Sequence, residues 1–222
     1  YYVYNPLFSP YCDSAYFLPN YWTTPNAGSP DYYHINSNCY FPWWPYTCCI
    51  PNNFRGHQIP KDGDAYYFLG TIVYYEAYDT TRQEESIIGD LAEQLIANKT
   101  YCLSFYLNQS EQFDLLIDQI GVFFSKTDYN TPFSTIDSIP QLIIHFEDFF
   151  KDTTNWVLFT GKYTATGGER YITFGTFEAQ KPYSFGHLYP PGVCTLANNC
   201  DPKASGLFID MISLYDCTGF YY

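Results

Sequence analysis

Basic residues are scarce in this chain: ten Lys and Arg stand against 23 Asp and Glu, a formal net charge of -13 over 222 residues. That balance repels a phosphate backbone, and no basic run reverses it locally, which argues against nucleic acid and anionic membranes as partners. Long apolar runs are also lacking. Stretches such as Leu115 to Ile117 and Gln141 to Phe146 fall far short of the ~20 residues that span a bilayer as a helix, so no direct membrane insertion is expected. Catalytic signatures are missing too. There is no HExxH, GxSxG or P-loop, and His34, His57, His145 and His187 stand apart with no paired Cys or Ser at a known spacing. The acid pairs Glu84/Glu85 and Glu147/Asp148 are adjacent in sequence and would point to opposite faces of a strand, whereas cooperating carboxylates must face one gap. No catalytic residue and no enzyme activity are expected.

What the chain does have is aromatic side chains, 22% of all residues, with 25 Tyr and 19 Phe. These fit a pleated, half-buried surface and favour strands. Strand-like runs recur at 65–75, 100–107, 117–125, 141–146, 155–165, 170–177 and 206–217, separated by Gly, Asn, Asp and Pro. The run from Thr100 puts Tyr101, Leu103, Phe105 and Leu107 on one face. Residues 1–60, rich in Pro, Asn and Tyr, read as long loops with short strands. Such strand spacing predicts an all-β sandwich or barrel over a single domain, 1–222. One segment, 84–98, carries Ile88, Leu91, Leu95 and Ile96 near helical spacing and on pattern alone reads as a helix.

Eight cysteines occupy 12, 39, 48, 49, 102, 194, 200 and 217, none in CxxC spacing. Disulfides and an oxidising, extracellular setting are the better reading than zinc. Connectivity does not follow from spacing. Cys194 and Cys200 bracket a short loop and suit a pair, while Cys12 with Cys39 and Cys102 with Cys217 are further candidates. Tyr1 opens the chain with no Met and no leader-like segment, as in a secreted protein after signal removal.

Several stretches together resemble a known family. NPLF (5–8), CIPNNFRGHQIPKDGDAYYFLG (49–70), NKTYCLSFYLNQS (98–110), IGVFFS (120–125), DTTNWVLFTGKYTATGGERYITFGTF (152–177) and FIDMISLYDC (208–217) are similar to the secreted β-sandwich modules of Bacteroidetes surface proteins. Those modules are of the OmpA-like or gliding-associated type, distantly similar to galactose-binding-like jelly rolls of carbohydrate-binding modules. The resemblance implies a jelly-roll β-sandwich of two antiparallel sheets, and a strand plus turn rather than a helix at 84–98. It also implies a structural calcium near Asp62, Asp64 and Asp210, although Ser9 and Met211 stand where the family carries acids. The plainer reading of Asp62 and Asp64 is an Asp-Gly turn.

Trp22 and Trp156 read as core residues. Trp43 and Trp44, between Pro42 and Pro45, cannot both point inward from an extended segment, so the loop offers Tyr40, Phe41, Trp43, Trp44 and Tyr46 as contact residues. The ends of the chain add Tyr1, Tyr2 and Tyr222. Asn98 and Asn108 head N-glycosylation tripeptides, and Ser14, Thr80, Ser138 and Thr153 follow Asp in motifs resembling the O-glycosylation signal of Bacteroidetes. Two functions stand side by side. One is a structural or adhesive surface subunit that contacts itself or other surface proteins, in a fibre or layer. The other is a carbohydrate-binding module holding glycans on exposed aromatics.

Overall fold

The computed structural model describes residues 21–25, 30–36, 49–74, 82–128, 136, 138–177 and 184–218. The aromatic loop residues Tyr40, Phe41, Trp43, Trp44 and Tyr46 lie outside them, as do Tyr1, Tyr2, Tyr222, Cys12, Cys39, Cys48, Ser14 and Thr80. Among the described residues there is no α-helix, and two antiparallel sheets dominate.

The first sheet runs β1 (Trp22–Thr23), β7 (Ser86–Asp90), β13 (Tyr171–Gly175), β10 (Gln119–Ser125) and β11 (Leu142–His145). The second runs β12 (Val157–Thr164), β8 (Thr100–Gln109), β15 (Ala204–Asp216), β5 (Ala65–Tyr74) and β2 (Asp31–His34), with β6 (Arg82–Gln83) paired to β5. Two small ribbons accompany them: β3 (Asn52–Asn53) with β4 (Gly56–His57), and β9 (Leu115–Ile117) with β14 (Phe185–His187). The chain is therefore an all-β sandwich, as its strand spacing predicts.

Alternation places the core. Tyr101, Leu103, Phe105 and Leu107 of β8 face inward and meet Ile120, Val122 and Phe124 of β10 and Phe174 of β13. The Phe124 and Tyr163 rings stack across the two sheets with centroids 4.2 Å apart and planes 3° from parallel. Burying each such side chain contributes about 1.5–3 kcal/mol.

Strand β5 does not alternate, because both of its faces are covered. Tyr67 and Leu69 enter the inter-sheet core, while Tyr66 and Phe68 join Tyr33, Phe113 and Phe208 in a second cluster on the outer face of the same sheet. Segment 49–60 supplies the cover, with Ile50 and Phe54 packed on that cluster. Arg55 Nε bonds the Asp31 carboxylate at 2.8 Å, and its guanidinium lies 4.4 Å from the Phe54 ring centroid and 4.8 Å from that of Phe68. Burial raises the Asp31 pKa, with Arg55 opposing it. Such a pair costs several kcal/mol to desolvate, which offsets much of the attraction between its charges.

Two disulfides are described, Cys102 to Cys217 and Cys194 to Cys200, and Cys49 is disulfide-bonded as well. The first ties β8 to the end of β15 across a sequence separation of 115.

Segment 84–98 forms a strand and a docked turn, not the helix its spacing alone suggests. Ser86–Asp90 pairs with β13 on one side and β1 on the other. Gly89 is required there, since a Cβ would sit 2.9 Å from the Trp22 ring. Beyond it, backbone bonds hold the chain to its neighbours: Leu91 N–H donates to Arg170 O, Leu95 N–H to Glu169 O, and Gly168 N–H to Leu95 O.

Candidate functional site

A pocket of about 230 Å³ opens where the sheets part at one end of the sandwich. Its walls come from β1 (Trp22), the turn after β7 (Leu91, Leu95, Ile96), β13 (Ile172) and the last strand (Ile212, Leu214). Asp90, Glu93, Lys99 and Asp216 stand with these among the lining residues. An apolar floor with a few charged groups is the usual chemistry of a recognition pocket.

The last strand reaches the pocket through a β-bulge. Its register against β8 shifts between Asp210 and Ser213, with Met211 at φ 51°. Before the shift Leu207 and Ile209 face the core; after it Ile212 and Leu214 do. One extra residue reverses the parity of a strand. Without it, Ile212 and Leu214 would face solvent and the pocket would lose one wall.

The opposite wall is held by the ATGGE turn. Glu169, 2% exposed, accepts hydrogen bonds from the Tyr163 hydroxyl (2.7 Å), Thr166 N–H (2.8 Å), the Thr166 hydroxyl (2.6 Å) and Gly167 N–H (2.9 Å). Although burial pushes its carboxyl pKa up, these donors overcome that and lower it to about 2. Gly167 and Gly168 adopt φ of 96° and 91°, values that favour glycine. A Cβ on Gly167 would also meet Ala97 at 2.8 Å. The turn fixes Leu95 in the core and Ile96 at the pocket, where its N–H donates to the Tyr101 hydroxyl at 3.0 Å.

At the pocket, Lys99 Nζ bonds the Asp216 carboxylate at 2.5 Å. That bond, with the Thr218 N–H and hydroxyl, lowers the Asp216 pKa to about 2, and the same partner raises that of Lys99. Asp90 moves the other way, raised by burial and by Asp128 against the pull of Arg170. With Lys99 engaged, Asp90 and Glu93 leave the pocket residues net acidic.

The other candidates fall as follows. Asp210 accepts N–H bonds from Lys61 (2.7 Å) and Asp62 (3.4 Å) on one oxygen and from Met211 (2.6 Å) on the other. Burial raises its pKa to about 6. Its carboxylate closes the KDGD turn, Asp62 and Asp64 are exposed, and no metal-ligating cluster forms among the described residues. A calcium cage needs six to eight oxygens, backbone carbonyls among them, and the NPLFS start of the chain lies outside the described residues. Asn98 is exposed at φ 65°. Asn108 is fully buried and its amide donates to Asp152 O and Asn155 O, each at 3.1 Å, which closes that tripeptide to modification in the folded chain. Ser138 and Thr153 are half-buried. His187 Nδ1 lies 2.7 Å from the Asp114 carboxylate. Among the described residues, neither partner is hydrogen-bonded to a serine, threonine or cysteine side chain.

Trp156 is half-buried over the second cluster, its Nε1–H donating to Ile59 O at 2.7 Å. Trp22 packs on the core, with ring centroids 6.0 Å from Tyr67 and 6.2 Å from Phe174, and also walls the pocket. Sequence reasoning missed that second role, together with Asp90, Glu93, Lys99 and Asp216. The one local signal was Gly89 within an apolar strand, which marks a close approach.

No family model matches the chain, and no curated protein does. Among solved structures it is similar to the K1 cleaved adhesin domain of Lys-gingipain from Porphyromonas gingivalis, at 13% identity and a TM-score of 0.39, covering 88% of this chain and 90% of that one. It is also similar to the CBM22-1 xylan-binding domain of Xyn10C from Paenibacillus barcinonensis, at 10% identity and a TM-score of 0.40, covering 90% and 87%. A family 16 carbohydrate-binding module matches at 13% identity and a TM-score of 0.32, covering 79% and 89%. Likeness at this level carries no functional argument, and the sandwich assignment rests on the sheets themselves.

Proposed function

We propose that this chain is an extracellular, non-enzymatic adhesive module that grips a protein partner through the pocket beside Trp22. The observation that carries this reading is the pocket's size and chemistry. Its 230 Å³ lies below the ~300–1,000 Å³ of sites for drug-sized ligands and suits one or two apolar side chains. Disulfides support an oxidising, extracellular or cell-surface setting. The aromatic loop at 40–46, with Tyr1, Tyr2 and Tyr222, is proposed as a further contact surface on composition alone. A second reading, recognition of a glycan end group, draws support from the Trp22 indole in the wall, since aromatic faces stack on sugars.

The test is Ala92→Trp, which places a bulky ring at the pocket from an exposed position. Wild type and variant are applied to arrays of aliphatic-rich peptides and of glycans. Peptide binding that the variant loses supports the adhesive reading. Glycan binding lost in the same way favours the second. Binding that persists unchanged in the variant overturns both.

A further inference from the structure

On the reading of the pocket as a protein contact, we propose that its occupant is a second copy of this chain, whose disulfide-stapled loop inserts Leu196 so that copies join head to tail. Leu196 is 75% exposed and neighbouring Val193 49% exposed. A lone exposed apolar side chain is ordinary on a protein surface; here two are presented together by one short loop.

The loop that presents them is built to hold one shape. Cys194 is bonded to Cys200, and both are buried beneath the exposed turn. Asn198 locks the interior: its Oδ1 accepts the Thr195 N–H at 2.9 Å, and its Nδ2 donates to Val193 O at 2.6 Å. A 3-10 turn, Leu196–Asn198, then lifts the leucine clear of the surface. Order fixed in the free molecule is not lost again on binding, so a small contact keeps more of its energy.

Charge permits this loop to approach the pocket of another copy. Copies carrying a net -13 repel one another, yet from Leu188 to Cys200 there is no charged residue. An uncharged apolar knob approaches the acidic residues at the pocket, Asp90 and Glu93, without a like-charge clash. In size, a leucine with the edge of its turn is what 230 Å³ accommodates.

Position makes the contact open-ended. Cys200 leads within four residues into Ala204, the first residue of β15, whereas the pocket is walled by Ile212 and Leu214 near that strand's far end. β8 shows the same polarity, with Thr100 beside the pocket residue Lys99 and Gln109 two residues before Glu111, whose carbonyl contacts Cys200 Sγ. Knob and pocket therefore lie toward opposite ends of a 13-residue strand, roughly 30 Å apart along it. A surface that fits a different surface on the next copy gives a heterologous contact, which continues unless rotation closes it.

Sedimentation velocity of the full chain from about 10 µM to 1 mM should show species growing past dimer, and more so with added salt, which screens repulsion between acidic bodies. Leu196→Asp and Ala92→Trp should each weaken growth by about 30-fold or more, the loss of one interface anchor, with unchanged melting temperatures. Val193→Asp and Ala92→Leu give intermediate losses. An equimolar mixture of Leu196→Asp and Ala92→Trp should form a species that stops at dimer, because one variant retains the pocket and the other the knob. A monomer at every concentration overturns the proposal, as does growth that Leu196→Asp leaves intact. Growth stopped by Ala92→Trp but not by Leu196→Asp overturns only the knob and leaves the pocket as a protein contact. Probe binding undiminished by Ala92→Trp is the separate result that removes the pocket itself.

Discussion

Replacing Glu169 with Gln tests whether one carboxylate holds the pocket wall. In the folded chain its carboxyl titrates at about 2 rather than the ordinary 4.5. At ~1.36 kcal/mol per pKa unit, that displacement corresponds to about 3 kcal/mol of stability from this group. The sign follows from linkage: a depressed acid stabilises the fold fully above about 4.5, and that stabilisation is lost as the pH falls toward 2. Gln keeps the shape and one acceptor, but its amide hydrogens face the Gly167 N–H or the Tyr163 and Thr166 donors. A loss of about 2–3 kcal/mol at pH 7 is expected, with a melting temperature lower by roughly 5–10 °C for a domain of this size. Urea unfolding at pH 7, 4 and 2.5 reads it directly. The wild-type and Glu169→Gln stabilities should converge as the pH falls, and exchange of the Leu95 and Gly168 amides should quicken in the variant. Equal stability at pH 7, or a gap that persists unchanged at pH 2.5, would refute the reasoning.

Opening the Cys102–Cys217 bond by a double Ser substitution should cost about 3–5 kcal/mol in urea, because it releases a loop of sequence separation 115; a cost near zero would mean that β8 and β15 need no tether. Gly89→Ala pushes a methyl group into the Trp22 ring and should cost about 1–3 kcal/mol. The strand should survive while the Trp22 indole moves, a change that NMR of the indole N–H detects and an unshifted resonance would contradict. Expressed in a host that glycosylates Asn-x-Ser/Thr, the folded chain should carry sugar at Asn98 and none at Asn108, as peptide mass mapping would show.

How much of this was legible in the sequence depends on how local the cause is. The inward face of β8 could be read from Tyr101, Leu103, Phe105 and Leu107, because one side of that strand is consistently apolar and buried. β5 gave no alternation to read, since segment 49–60 covers its outer face and makes Tyr66 and Phe68 as buried as Tyr67 and Leu69. The Met211 bulge left no mark in the run FIDMISLYDC, yet it decides which way Ile212 and Leu214 point. The Cys194–Cys200 pair was visible because six positions separate its members. The pocket was not, because its residues come from β1, the 91–96 turn, β13 and β15, and their meeting is a property of the sandwich. Helical spacing at 84–98 failed for a related reason: Gly89 and Leu95 answer to Trp22 and to the ATGGE turn, both distant along the chain.

The Cys102–Cys217 bond has a mechanical meaning. Tension applied to the polypeptide on either side of the pair passes from β8 to the end of β15 through one covalent bridge, and the residues between them carry no load. Their separation of 115 corresponds to roughly 380–410 Å of extended chain that a pulling force cannot unspool. Strands β9 to β14 lie inside the bridge and would stay slack under such a pull, whereas β1, β7 and the 91–96 turn, which wall one side of the pocket, lie outside it and would take the strain first.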